Sequence, residues 1–354
     1  MTQLLEKPEA ANPRPGPRRR PVTVSLEGAV KESPLVEGRT LPVVIEPAIN
    51  GVDLIAWAAS RKEMIESRLS LSGAILFRGF EVGDAATFER FVRSVAGEPL
   101  EYRERSSPRH QVSGRVYTST DYPASQSIFM HNENSYQRAW PMKLFFFCET
   151  PPGEGGQTPI ADVRRVLGRI SPATRERFMR KNVMYMRNYA DGLGLSWQTV
   201  FQSDDRAEVE AYCGKAGIRF EWKQDNTLRT RQVGRAIVVH PRTGEEVWFN
   251  HAAFFHISTL DSALGESLIE AVGEENLPNN TYYGDGSPID GATLDEIREA
   301  YRQESVFFPW RRGDILMLDN MLAAHGRAPY SGARKILTAM AQPFAPETFT
   351  PETS

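Results

Sequence analysis

The chain has 354 residues, 40% hydrophobic and 25% charged, which is enough apolar material for a sizeable core and excludes disorder of the whole chain. Its 42 Lys and Arg against 45 Asp and Glu leave a net charge of −3, so the charge balance predicts a small-molecule partner and no nucleic-acid binding. Two cysteines exclude a disulfide framework and no apolar run suits a membrane span or a signal peptide, so we expect a cytoplasmic protein that does not contact a membrane.

The chain begins with a segment in which Pro and Arg alternate without an apolar period. This composition predicts a disordered arm over 1–40, which could touch an acidic partner but is more typical of solubilising sequence. The end, 346–354, is predicted to be a flexible tail. No linker divides 41–345, so we expect a single domain there.

Short runs rich in β-branched and aromatic residues predict strands at 42–47, 73–80, 127–134, 142–149, 235–241, 245–250, 314–320 and 335–344. Amphipathic periods predict helices at 51–69, 84–96, 171–181, 206–214, 261–274 and 293–304. Ser171 before Pro172 predicts a helix start, and Thr293 with Glu296 has capping-box spacing. The strands do not alternate with helices and no Gly-rich phosphate loop follows them, which argues against a doubly wound parallel sheet. We predict a mainly β fold, a double-stranded β-helix (jelly-roll) core with surrounding helices.

One histidine lies two residues before an acid, in His131-Asn132-Glu133. With six histidines and 45 acids in 354 residues, one such spacing is expected by chance. On an extended strand, however, residues i and i+2 point to the same face. A third ligand from a distant strand would complete a two-histidine, one-carboxylate metal site with open positions.

The best distal ligand is His325, which follows the apolar run 314–320. A Gly-containing turn and a strand starting at Arg334 come next, so we expect the histidine and the arginine on neighbouring strands. A buried arginine favours a carboxylate, which its planar fork binds with two hydrogen bonds. For a lone arginine, the alternative is a structural ion pair.

An ordered set of segments resembles the iron(II)- and 2-oxoglutarate-dependent dioxygenases related to taurine dioxygenase, closest to the syringomycin-biosynthesis hydroxylase branch. The segments are GAILFRGF (73–80), YTSTDYP (117–123), HNE (131–133), GGQT (155–158), EVWFNHAAFFH (246–256), YYGDGSPID (282–290), WRRGDILMLDN (310–320) and HGRAPYSGARKIL (325–337). Each is weak by itself, and the order makes the resemblance specific.

The resemblance implies that His131, Glu133 and His325 bind Fe(II). It also implies that Arg334, assisted by the hydroxyl of Thr158, binds the far carboxylate of 2-oxoglutarate. Lys335 is the competing cation. Adjacent residues of a strand face opposite ways, so only one of the two can point inward.

The resemblance further implies an oxidation that consumes 2-oxoglutarate and O2. Related halogenases have a small residue at the position of Glu133, so its carboxylate argues against halogenation. Hydroxylation of an aliphatic carbon is the expected outcome, and desaturation, epoxidation or cyclisation remain open. The expected substrate is an amino acid or a derivative of one in specialised metabolism, either free or tethered to a carrier protein.

Six further residues are candidates for contact with the substrate: Ser127, Asn134, Arg138, Asn250, His251 and His256. For each, an ordinary structural role is the competing interpretation. Two other functions also remain open. One is a metal-dependent hydrolase or isomerase on the same barrel, and the other is an inactive binding protein.

Overall fold

The structure is a computed structural model that describes residues 28–346, except 102–109, 121, 191, 193 and 224–225. The tail over 347–354 and most of the predicted arm lie outside the described residues. The remainder of the arm prediction was wrong, because Val30–Pro34 forms a strand that pairs with Val43–Pro47. The single domain over 41–345 stays a prediction.

The described strands are β1 (Val30–Pro34), β2 (Val43–Pro47), β3 (Ala74–Phe77), β4 (Gln111–Ser113), β5 (Val116–Thr118), β6 (Ile128–His131), β7 (Trp140–Thr150), β8 (Glu154–Gly155), β9 (Ile160–Asp162), β10 (Val183–Tyr189), β11 (Arg219–Trp222), β12 (Leu228–Gly234), β13 (Ile237–Val239), β14 (Glu246–Trp248), β15 (Asn279–Tyr283), β16 (Ile315–Asp319), β17 (Ala323–Arg327), β18 (Tyr330–Ser331) and β19 (Lys335–Phe344). The described α-helices are α1 (Leu54–Ser60), α2 (Lys62–Ser72), α3 (Ala85–Ala96), α4 (Val163–Arg169), α5 (Pro172–Lys181), α6 (Trp197–Phe201), α7 (Arg206–Ala216), α8 (Ser262–Val272) and α9 (Gly291–Glu304). None of these helices has the length and apolar character needed to cross a bilayer.

Two sheets face each other across the core. The larger has the strand order β1-β2-β3-β16-β7-β19-β5-β4, with β2 and β3 parallel, and the smaller has the order β6-β17-β9. The ring of Phe146 on β7 lies 5.0 Å from that of His325 on β17, so side chains of the two sheets meet between them. The predicted mainly β architecture is confirmed.

Strand β7 is the centre of the larger sheet, and both its faces are covered, as its near-continuous apolar sequence predicts. On the face away from β17, helix α3 packs against it, with Phe88 stacked 5.3 Å from Phe147 and Phe91 6.3 Å from Phe145. The metal-binding candidates lie on the opposite face, between the sheets.

Helix boundaries follow local caps. Ser171 caps α5 with Pro172 in its first turn, as predicted. The predicted helix over 51–69 is two helices, because the chain bends at Arg61. The predicted capping box of α9 was wrong, since Asp290 caps this helix by accepting from the backbone N–H of Thr293 at 2.8 Å.

A third sheet, β11-β12-β10-β15, was not predicted. Its strands carry buried polar side chains that obscure an apolar alternation. Arg229 on β12 is buried and donates to the side chain of Asn188 on β10 at 2.9 Å. Such paired polar groups are tolerated inside because their hydrogen bonds are made internally.

Glu304, at the end of α9, is 3% exposed and accepts hydrogen bonds from Arg39, Arg165 and Arg169. Burial alone would raise its pKa, but the arginines dominate and hold the pKa of Glu304 below 4.5. We expect Glu304→Gln to lower the free energy of unfolding at pH 7 by about 2 kcal/mol, because partly exposed arginines lose their shared anion. Because the pKa of Glu304 is lower in the folded than in the unfolded protein, its charge stabilises the folded protein at pH values above the unfolded pKa. The difference in unfolding free energy between the wild type and Glu304→Gln should therefore vanish as the pH falls through the folded-state pKa.

Urea denaturation at pH 7 and pH 3 measures both parts of this expectation. Glu299→Gln is the matched control, since Glu299 pairs with Arg302 on the exposed face of the same helix. Equal effects of the two substitutions at pH 7 would contradict a special role for Glu304.

Candidate active site

His131, Glu133 and His325 form one cluster, in which each residue places a ligand atom within 4.8 Å of the others. The two histidines come together through strand pairing, because His325 on β17 lies directly opposite His131 on β6. The Nε2 atom of His325 is 4.0 Å from Oε2 of Glu133. Glu133 and His325 are buried and His131 is half-buried.

Glu133 reaches the cluster from a turn. Strand β6 ends at His131, so the expectation that both side chains share a strand face was wrong. The chain turns at Asn134, which has a positive φ of 57°, a conformation that asparagine tolerates better than most residues.

Asn320 holds the backbone on both sides of Glu133. Its Oδ1 accepts from the N–H of Glu133 at 2.8 Å, while its Nδ2 donates to the carbonyls of Glu133 at 2.9 Å and Pro141 at 2.8 Å. Asn320 is fully buried, so water does not compete for these bonds. The amide therefore fixes where the Glu133 side chain starts.

The tautomer of His131 follows from a hydrogen bond to the backbone of its own strand. Its Nδ1 lies 2.8 Å from the carbonyl oxygen of Phe129, which can only accept, so Nδ1 carries the hydrogen. The lone pair is then on Nε2, as in most metal-bound histidines that donate their other ring N–H to a carbonyl.

The donor set is two imidazoles and one carboxylate. This set suits a divalent first-row metal such as iron, and three protein donors would leave further coordination positions open. The residues present therefore fit Fe(II), with positions left for other ligands.

Arg334 and Thr158 line the cavity that adjoins both histidines. The Nε of Arg334 donates to the carbonyl of Gly156 at 3.1 Å, and its side chain lies over the ring of Tyr330. Within the described part of the chain, no acid lies at ion-pair distance from Arg334. Thr158 accepts from the indole N–H of Trp310 at 3.1 Å, which leaves its own hydroxyl hydrogen to donate.

Electrostatics favour an anion in this cavity. Burial and the nearby cation Arg327 lower the pKa of Arg334 to about 10, which still leaves it charged at neutral pH. Arg327 itself donates to the carbonyls of Tyr122, Pro123 and Gln126. A carboxylate bound at Arg334 would therefore relieve an uncompensated positive charge.

Lys335 points the other way. Its ammonium pairs with Glu149 at 2.5 Å and is almost half exposed. The expectation that His325 and Arg334 occupy neighbouring strands was wrong, because β17 and β19 belong to different sheets. Arg334 lies one residue before β19, and its side chain lines the same cavity as His325.

His251 is a substrate candidate whose ring lies beside the cluster. Its ring centroid is 5.8 Å from that of His131, and its Nδ1 lies 2.6 Å from the hydroxyl of Ser135. Burial, His131 and Arg187 lower the pKa of His251 well below its usual value, so the ring is neutral at pH 7. Phe254, which was not predicted, stacks on His131 at 4.6 Å.

None of the six substrate candidates, His251 included, is part of the described lining of the cavity that contains Arg334. Ser127 is exposed, and Asn134 and Arg138 line separate cavities. The amide of Asn250 bonds to the backbone at Ala236 and Ala252, and His256 caps a short 3-10 helix over Ile257–Thr259. Burial lowers the pKa of His256 to about 4.

Among the polar residues of this region that were not predicted as site residues are Asn320, Ser119 and Thr120. Ser119 and Thr120 line the cavity, and the hydroxyl of Ser119 accepts from Arg334 at 3.4 Å. All three lie inside segments that carried the family resemblance, so polar residues within those segments were the available signal.

We expect Asn320→Ala to weaken metal binding by about tenfold to a hundredfold, because loss of groups that orient a ligand has that effect. Calorimetric titration with Mn(II) measures the affinity without turnover. Asn188→Ala is the control, since Asn188 is also a buried amide with three hydrogen bonds, to Glu275, Leu277 and Arg229, in the third sheet. Both variants should lose stability, and unchanged affinity in Asn320→Ala would contradict the positioning role.

Comparisons with known proteins find related sequences. A family model described as "Taurine catabolism dioxygenase TauD, TfdA family" matches residues 36–340. Dapdiamide synthesis protein DdaC of Enterobacter agglomerans is 40% identical over 282 residues, covering 80% of this chain and 86% of that protein. A clavaminate synthase-like protein of Arabidopsis thaliana is 28% identical over 335 residues, covering 89% and 98%.

Solved structures show the same fold. PvcB from Pseudomonas aeruginosa aligns with a TM-score of 0.55 at 16% identity, covering 88% of this chain and 91% of that one. AAD-2 in complex with Mn(II) and N-oxalylglycine aligns with a TM-score of 0.51 at 13% identity, covering 88% and 96%. The predicted jelly-roll core is confirmed.

Proposed function

The chain belongs to the TauD/TfdA family of iron- and 2-oxoglutarate-dependent dioxygenases, and we propose that it hydroxylates an aliphatic carbon of an amino acid or of an amino-acid-derived group. Its cofactor is Fe(II), and its cosubstrates are 2-oxoglutarate and O2. We also propose that it is closest to the syringomycin-biosynthesis hydroxylase branch. The relative named for dapdiamide synthesis supports a role in natural-product biosynthesis.

We propose His131, Glu133 and His325 as the iron ligands and Arg334 with Thr158 as the binding site for the far carboxylate of 2-oxoglutarate. The observation that supports this most is the three-ligand cluster beside a cavity that also contains an arginine without an acid partner among the described residues. When bound, the iron would catalyse oxidation of a substrate C–H bond, coupled to conversion of 2-oxoglutarate and O2 to succinate and carbon dioxide.

The protein's own residues would position the reactants. The guanidinium of Arg334 and the hydroxyl of Thr158 would bind the far carboxylate of 2-oxoglutarate, so that its keto acid end faces the cluster of metal-ligand candidates. Burial of Glu133 and His325 would limit water at the site. We propose that His251 lines the substrate side, because its neutral ring lies beside His131.

The proposed substrate is a small molecule, either free or attached to a carrier protein. We propose a cytoplasmic location, because two cysteines are too few for the disulfide framework that is typical of secreted proteins. Desaturation, epoxidation and cyclisation remain alternative outcomes at the same site.

The direct test is a screen of free amino acids and carrier-bound aminoacyl groups for stimulated succinate release. Release should require Fe(II), 2-oxoglutarate and O2 together, and mass spectrometry should show a product gaining one oxygen. Substrate conversion without 2-oxoglutarate, in the presence of zinc or manganese, would instead support a hydrolase or isomerase. A product that is two hydrogens lighter would point to desaturation or cyclisation.

A further inference from the structure

A second cavity lies behind the turn that carries Glu133. Its volume is about 290 Å³, and it adjoins the end of β19. The aromatic residues in its lining pack on one another, with Trp140 4.9 Å from Phe249 and 5.7 Å from Phe344. Val238 and Met321 add further apolar surface. The cavity therefore has the volume and the apolar lining to accommodate an apolar group of moderate size.

The charged side chains of this lining are all positive: Arg138, Lys215 and Arg235. Lys215 and Arg235 are exposed and Arg138 is half-buried, so the cations form a rim around the apolar floor. Arg138 and Lys215 make no ion pair with any residue that the structure describes. No acid contributes to the described lining.

Arg138 is held in place at this rim. A Cβ added to Gly217 would clash with an Nη atom of Arg138, so the guanidinium packs directly on the glycine. Gly217 ends helix α7 with a positive φ of 63°, which further favours glycine there. Lys215 lies in the last turn of the same helix, so one helix end positions both cations.

The cavity is separate from the metal site. Its lining shares no residue with the cavity that contains His131, His325 and Arg334. Ser135 nevertheless lines it and hydrogen-bonds to His251, whose ring lies beside His131. One layer of side chains therefore separates the two cavities.

We propose that this cavity is a second small-molecule site that binds an amphipathic anion. The apolar body would lie against Trp140, Phe249 and Phe344, and the anionic head would lie at Arg138 and Lys215. Charge complementarity supports this class of ligand, because a neutral or cationic head would leave the cations without a counter-ion.

Octanoate is a suitable probe, with octan-1-ol and octylamine as matched neutral and cationic compounds. Calorimetric titration should use the full chain loaded with Fe(II) and saturated with 2-oxoglutarate without O2, so that the probe does not enter the metal site. We expect saturable binding of about one octanoate, with the alcohol and the amine about tenfold weaker or worse.

The double variant Arg138→Gln/Lys215→Gln should weaken octanoate binding by about tenfold. The control is Arg180→Gln/Arg312→Gln, which removes the same charge from exposed cations outside this lining. Equal weakening by the control, or equal binding of octanol, would overturn the proposal. Binding that appears only after removal of 347–354 would assign the cavity to the chain's own final segment and would also overturn it.

Discussion

His325→Ala is expected to reduce turnover to below about 1% and to weaken Fe(II) and Mn(II) binding by more than about a hundredfold, since even groups that only orient a ligand are worth tenfold to a hundredfold. In the proposed metal site the imidazole of His325 is one of three donors, and the paired strand β6 contributes His131 as the other nitrogen donor. Two remaining donors would hold a divalent ion weakly in competition with water. Calorimetry with Mn(II) gives the affinity, and succinate release gives the turnover.

The effect of His325→Ala on folding can be measured separately from its effect on metal binding. The thermal midpoint of the metal-free protein should fall modestly, because alanine leaves a small cavity beside Phe146. His110→Ala is the control, since His110 is an exposed histidine outside the cluster. Stoichiometric metal binding by His325→Ala at normal affinity would refute the ligand assignment.

Arg334→Ala is expected to raise the KM for 2-oxoglutarate by about thirtyfold to a thousandfold, because losing a charge-assisted bidentate pair costs about 2 to 4 kcal/mol. The KM of the primary substrate and the Mn(II) affinity should change little, since neither involves the guanidinium. The KM of Arg334→Lys for 2-oxoglutarate should lie between those of the wild type and Arg334→Ala, because an ammonium keeps the positive charge but cannot form the bidentate pair.

Lys335→Ala provides the matched comparison for this experiment. Lys335 is the next residue along the chain, but it pairs with Glu149 outside the cavity. Its loss should leave the KM for 2-oxoglutarate within about twofold, as is usual for an exposed ion pair. If Arg334→Ala affects only the primary substrate, the arginine binds that substrate instead.

The parts of the fold that could be predicted are those in which local pattern and burial agree. The apolar run over 142–149 and the run over 335–344 became β7 and β19, and Ser171 marked a true helix start. Strands β10 and β12 were missed because Asn188 and Arg229 interrupt the apolar pattern of their buried residues. Hydrophobic periodicity cannot report a polar network that is satisfied only after the strands pair.

The sequence predicted which residues come together at the site but not how the chain positions them. The ordered segments identified His131, Glu133, His325 and Arg334, which the structure places around one cavity and its adjoining cluster. Same-face alternation wrongly placed Glu133 on a strand, because the sequence does not reveal where β6 ends. The role of Asn320 depends on contacts between residues almost 190 positions apart, and no local pattern contains them.

In the proposed iron site, His131 and His325 lie opposite each other on β6 and β17, so we expect iron loading to depend on how those strands align. A shift of β17 by one residue would turn the His325 imidazole to the opposite side of the sheet. A misaligned chain would then keep at most two donors and release the ion to any competing chelator. Metal content measured on freshly refolded protein would thus report the fraction of molecules in which these distant strands have found their native alignment.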